Sequence, residues 1–230
     1  MELIDKGLVV MGVYAVYLAS KQLLNTLSTI DITKILCRRK LDSYTLECNG
    51  VTFNMRVAPH ILVAGLSGQG KSFFVEYLFK GREDLIGNIY LVNAYRNDFK
   101  SLKCRRINST KGILTLLTDS ARLLQRQPRY VIIDELLELS IREPKLIKEL
   151  TKALAVSRHF NTFFICIAQQ ATKEEIKCKS LFNCRVTFKQ VEYSSYQTIL
   201  GYSPEERQLQ AREFYYLNDC GIGRAKVPRI

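Results

Sequence analysis

The chain has 230 residues, 47% hydrophobic and 24% charged, a balance that excludes a disordered or low-complexity protein and suits one α/β domain with small additions. Lys and Arg number 34 against 22 Asp and Glu, and the resulting net charge of +12 draws polyanions: nucleic acid first, an anionic membrane surface second. The 7 cysteines form no C-x-x-C pair and read as reduced cytosolic thiols; with 2 histidines and no close Cys/His spacing they argue against a zinc site.

Residues 7–20 carry no charge and are apolar on every side, which predicts an apolar helix within residues 1–30. Fourteen residues rise about 21 Å against a hydrocarbon core of about 30 Å, a gap that extension to Leu3 and Leu24 and snorkelling by Lys6 and Lys21 would close. Two readings stay open, a membrane anchor and a helix buried in a subunit contact. If the segment spans, Lys34, Arg38, Arg39 and Lys40 outweigh Lys6 and keep the rest of the chain cytoplasmic. Glu2 and Asp5 ahead of the apolar run disfavour a cleaved signal peptide. Asn49-Gly50 between two alternating stretches then predicts a β-hairpin over residues 41–57.

Residues 58–230 predict a nucleotide-binding domain. Residues 61–64 are a short apolar run of the kind a buried parallel strand takes, and Phe73, Phe74, Tyr77 and Leu78 resume at helical spacing, with Gly81 as the expected C-cap. Between them Gly65, Leu66, Ser67, Gly68, Gln69, Gly70, Lys71, Ser72 and Phe73 carry the G-x-x-x-x-G-K-[ST] pattern of a phosphate-binding loop. The glycines let successive N–H groups turn toward a phosphate, and the helix N-terminus adds its dipole. Lys71 is the expected contact to the β/γ-phosphates of ATP, and the Ser72 hydroxyl is the expected ligand to Mg2+.

Further along, residues 88–92 and 103–107 predict strands, and residues 110–124 a helix presenting Ile113, Leu114, Leu117, Ala121 and Leu124. Residues 129–135 run through four apolar positions into Asp134 and Glu135, the form of a buried strand that delivers acids to the sheet edge. Asp134 is the expected magnesium-shell residue, and Glu135 the base that orients and deprotonates the attacking water. A helix over 144–155 leads to a strand over 162–168 ending in Gln169, either a γ-phosphate sensor or an amide that caps a turn. Strands over 185–189 and 213–217 complete a βα alternation of parallel type.

Residues 60–65, 130–135, 158–169, and 184–188 with 196–201, in that order, resemble the FtsK/HerA superfamily of DNA-pumping ATPases, most closely the FtsK/SpoIIIE motor domain, over about residues 57–200. Asn93-Ala94-Tyr95 stands where that branch usually has Asp-Pro-Lys, and Gln170-Ala171 where it has Arg-Pro. The resemblance implies a RecA-like P-loop fold: a mostly parallel central sheet flanked by helices, with the N-terminal helix and hairpin appended. It also implies a ring, a homo-hexamer, with Arg158 or Arg185 reaching a neighbour's site; each has the alternative of an ordinary surface ion pair. The expected substrate is double-stranded DNA gripped through its phosphates without regard to sequence, because no base-reading module is present. Arg96, Lys100 and Lys103 are the expected pore contacts. Viral genome packaging, transfer of a plasmid or conjugative element, and ATP-driven assembly or extrusion at a membrane are the functions weighed, with residues 1–30 as an attachment to membrane or virion vertex.

Overall fold

The computed structural model describes residues 41–95, 97–169, 178–205 and 208–229. The expectations for residues 1–30, the cluster at 38–40, Arg96 and Gln170 lie outside the described residues.

Asn49 and Gly50 both have positive φ (52° and 83°), as a type I′ turn requires, and across them β1 (Thr45–Cys48) pairs antiparallel with β2 (Val51–Asn54). The hairpin is no appendage. Leu46, Cys48, Phe53 and Met55 are fully buried in one core with Phe74 and Phe163, and the Tyr130 hydroxyl donates to the Ser43 carbonyl at 2.6 Å.

The main sheet contains β3 (Ile61–Ala64), β4 (Ile89–Val92), β5 (Arg105–Ile107), β6 (Arg129–Ile133), β7 (Thr162–Ala168), β8 (Cys184–Thr187), β9 (Glu213–Asn218) and β10 (Gly221–Lys226). Their spatial order is β10-β9-β8-β3-β7-β6-β4-β5. The six strands from β8 to β5 run parallel. The expected parallel β9 is corrected: it runs antiparallel to β8 and pairs antiparallel with β10, which the sequence pattern did not predict. The chain returns to the loop after β3 before β9 begins, with Arg212 N–H bonded to the Gln69 carbonyl, so β9 starts at the edge where β8 ends; the tight turn at Asp219-Cys220 then makes β10 its hairpin partner. β10 is an exposed edge strand with little apolar alternation to announce it.

Helices α1 (Lys71–Leu78), α2 (Thr110–Ser120), α3 (Leu136–Arg142), α4 (Pro144–Val156) and α5 (Tyr193–Leu200) cover the sheet. Along β3, Ile61 and Val63 face α1 and the hairpin, while Leu62 and Ala64 join Ile113 of α2, Leu150 of α4 and Ile199 of α5 in a second cluster. Burial on both faces is why the central strands read as continuous apolar runs.

Two boundaries and one element differ from expectation. α2 stops at Ser120, so Leu124 is 70% exposed instead of lying on the helical face. α1 ends with Phe79 as its cap, and Gly81 makes its left-handed turn two residues later. α3, a short helix directly after the acidic pair, was not anticipated, because seven residues give too few turns for a periodic signal.

Candidate active site

The parallel register sets the site. Ala64 of β3 lies beside Ala168 of β7, and Ile133 of β6 beside Cys166, so the chain leaves all three strands at one edge of the sheet. That edge gathers the phosphate loop, Asp134, Glu135 and Gln169, residues up to about a hundred positions apart.

The loop from Gly65 to Gly70 is pinned by its neighbours. Gly65 N–H donates to Ala168 O at 3.3 Å, Leu66 N–H to Lys189 O at 3.0 Å, and the Gln69 carbonyl accepts from Arg212 N–H at 2.9 Å. Gly65 has φ 148°, and a Cβ there would lie 2.6 Å from Cβ of Phe188, so both conformation and space demand glycine. Gly70 opens α1 with φ 109° and no side-chain cap. The first-turn N–H groups are therefore available to an anion, with no acidic residue in that turn to oppose it.

Lys71 is buried to 9% exposure and donates to the carbonyls of Gly65 at 2.6 Å and Leu66 at 3.0 Å. Burial lowers its pKa, and the negative charges of Asp134 and Glu135 oppose that shift. Asp134 is 7% exposed, and its carboxyl is pushed up to about 7, first by burial and then by Glu135 and Asp98. A buried carboxylate next to a second acid calls for a cation, and the half-buried Ser72 hydroxyl on α1 has no hydrogen bond among the described residues. These two residues fit Mg2+, with Ser72 and Asp134 as the groups that would hold it.

Glu135 sits in left-handed backbone (φ 51°) as the residue that starts α3. Gln169 Nε2 donates to Glu135 Oε1, so the expected sensor touches the expected base. Asn93, at the end of β4 with φ 59°, donates through Nδ2 to the Asp134 carbonyl at 3.1 Å and to Glu138 Oε2 at 3.4 Å; Tyr95 OH reaches the same Glu138 oxygen at 3.5 Å. The sequence reading missed Asn93 as a site residue; its signals were an asparagine ending an apolar strand and its place where the resembled branch has Asp-Pro-Lys.

Of the loop residues, Ser67, Gly68 and Phe73 are exposed and Leu66 and Gln69 half-buried. Arg158 is exposed in the turn Ser157–Phe160 ahead of β7. Seven strand residues at about 3.3 Å each put it about 23 Å from this chain's own phosphate loop. Arg185 is turned into its own subunit: Nε donates to Phe182 O and Nη1 to Ile199 O, both at 3.1 Å, the latter in the last turn of α5 where a cation is favoured. Lys100 and Lys103 are exposed on the β4–β5 connection, which Arg106 staples through the carbonyls of Tyr95 (3.0 Å), Asp98 and Phe99 (3.3 Å).

No family model matches the sequence, and no curated protein matches it. Solved structures do. The pCW3 conjugation coupling protein TcpA, in its monomer form with ATPγS, is similar with a TM-score of 0.64 at 15% identity, over 81% of this chain and 68% of TcpA. The cytoplasmic domain of the type VII secretion ATPase EccC from Thermomonospora curvata matches at 0.63 and 13%, over 80% of this chain and 28% of EccC. The genome packaging NTPase B204 of Sulfolobus turreted icosahedral virus 2, with AMPPCP, matches at 0.57 and 13%, over 75% of this chain and 98% of B204. The chain has the fold of the FtsK/HerA-type P-loop ATPases. Within that FtsK/HerA-type fold the chain spans less than a third of EccC, and at these identities the likeness is one of fold alone. No helix among the described residues is long and apolar enough to cross a membrane.

Proposed function

We propose that the chain is a magnesium-dependent ATPase that moves double-stranded DNA through a ring of identical copies, in the manner of a viral genome-packaging motor. The convergence of Lys71, Asp134, Glu135 and Gln169 at one sheet edge carries the hydrolytic part of this reading. In it Lys71 leaves the loop carbonyls for the β/γ-phosphates, Glu135 takes the proton of the attacking water, and Gln169 couples the γ-phosphate to Glu135. Mg2+, when bound by Ser72 and Asp134, supplies charge neutralisation at the phosphates.

The DNA part is supported by the net charge of +12 and by the alignment that takes in nearly all of a packaging NTPase. Binding through phosphates makes it insensitive to sequence and steeply dependent on salt. Arg158, exposed and far from its own loop, is the residue proposed to reach a neighbour's nucleotide; Arg185 is already held by its own backbone. Conjugative transfer is the nearest alternative, resting on the similarity to TcpA, and a membrane extrusion or assembly ATPase the next, resting on EccC.

The deciding experiment is ATPase turnover of the purified protein with duplex DNA, single-stranded DNA or neither, at two salt concentrations. Stimulation by duplex that fades with salt is expected, and equal turnover in all three conditions would remove DNA as the substrate. Duplex-stimulated turnover that survives deletion of residues 1–30 would count against the membrane alternative.

A further inference from the structure

Arg212 is one of seven non-glycine residues with positive φ among those described, and three of the others are asparagines, which tolerate that backbone. An arginine at φ 68° costs about 1–3 kcal/mol unless its surroundings impose it. They do: its N–H is bonded to the Gln69 carbonyl and its carbonyl to Val227 N–H, both at 2.9 Å, so the residue is fastened between the phosphate loop and the end of β10.

The side chain is equally constrained at its root. A Cβ on Gly70 would lie 3.0 Å from Arg212 Cγ, so the arginine stem rests on the N-cap of α1. Phe73 follows three positions later, in the first turn of α1. Phe73 is 52% exposed there, so its ring is open to a ligand. The Arg212 guanidinium makes no hydrogen bond or ion pair among the described residues.

We propose that Arg212 and Phe73 clamp the base of the bound nucleoside triphosphate, an inference that rests on the nucleotide-binding reading above. The phosphate end is already served by Lys71 and the loop N–H groups, which leaves the flat base as the part of the ligand without a partner. Guanidinium and phenyl groups are both planar surfaces on which a heteroaromatic ring stacks. The two backbone bonds fix where the Arg212 side chain leaves the chain, beside the phosphate loop, and leave its guanidinium free to meet a base.

The test uses Arg212→Gly, which removes the side chain while suiting the left-handed backbone, and Phe73→Ala at an exposed position, so neither disturbs the core. Equilibrium titration gives Kd for ATP, and competition gives Kd for inorganic tripolyphosphate, which has no base. Each variant is expected to weaken ATP about tenfold and leave tripolyphosphate unchanged. An unchanged Kd for ATP in Arg212→Gly, or an equal loss for tripolyphosphate, overturns the clamp while leaving nucleotide binding intact. Failure of the unaltered protein to bind ATP at all would overturn both readings.

Discussion

Gln169, directly after β7, donates a hydrogen bond to the carboxylate of Glu135 across 34 positions of sequence. The group that would polarise water is thus held by the group that would read the γ-phosphate. Glu135→Gln is expected to bind ATP within about twofold of the unaltered protein and to lose at least about a hundredfold in kcat, since geometry survives and the base does not. Gln169→Ala should lose about tenfold in kcat with little change in ATP affinity. Single-turnover kinetics beside equilibrium binding separates the two, and near-normal kcat in Glu135→Gln would remove it from the mechanism.

Asn93 ties the ends of β4 and β6 together through the Asp134 carbonyl, at 5% exposure. Asn93→Ala leaves that carbonyl without its partner and puts alanine, which tolerates left-handed backbone less well than asparagine, at φ 59°, for a loss of about 2–3 kcal/mol in urea unfolding. Asn93→Gly removes the same bond but suits φ 59°, so its loss should be smaller by about 1 kcal/mol. Equal stability of Asn93→Ala and the unaltered protein would show that the bond contributes nothing.

Asp134 titrates near 7 in the folded chain against 3.8 for a free carboxyl. Because the folded pKa is raised, the contribution to stability is fully present below about pH 4 and is lost as pH rises to 7, up to about 4 kcal/mol. Without nucleotide or metal, Asp134→Asn should therefore gain on the unaltered protein over that window. Mg2+ with ATP should close the gap, because only the ionised carboxylate serves the metal. In kcat/KM, which reports the nucleotide-free protein, ATPase activity is expected to fall below about pH 7 for the same reason; a kcat/KM profile flat from about pH 5 to 8 would contradict the assignment.

His60 shows the opposite sign. Its ring is 1% exposed, with Nδ1 accepting from Phe164 N–H and Nε2 facing the Leu154 carbonyl, both at 3.0 Å, so Nε2 carries the proton. Burial pulls its pKa down to about 4 from 6.5. The neutral ring's contribution is present above pH 6.5 and is lost as pH falls to 4, about 3 kcal/mol in all. Since Asp134 acts oppositely over an overlapping window, the measurement belongs in the Asp134→Asn background, where chemical denaturation at pH 7 and pH 4.5 should reveal it. No difference between those two pH values would mean that the ring is not held neutral.

The hairpin supplies a purely structural test. Phe53 is fully buried and meets the Phe74 ring edge-on at 5.8 Å. Phe53→Ala is expected to cost about 3–5 kcal/mol, the price of a cavity in the core under α1, and to lower Tm without changing the Kd of whatever protein remains folded.

By itself the sequence determined the features that are local in the chain. The spacing of Gly65, Gly70, Lys71 and Ser72, the apolar run into Asp134 and Glu135, the Asn49-Gly50 turn and the strand ending at Gln169 are each dictated by backbone sterics or by two-sided burial within about ten residues. What pairs across the sheet was left to the tertiary structure. Asn93 meets Asp134 and Arg212 settles on Gly70 only because of strand order β8-β3-β7-β6-β4 and the antiparallel return through β9, and Arg185 turns inward to Ile199 only because α5 packs back against β8. No periodicity encodes such contacts, since each joins residues whose separation along the chain carries no information about their distance in space. The same holds for β10 and α3, too short or too exposed to leave a pattern, which are positioned by the neighbours they pair with or pack against.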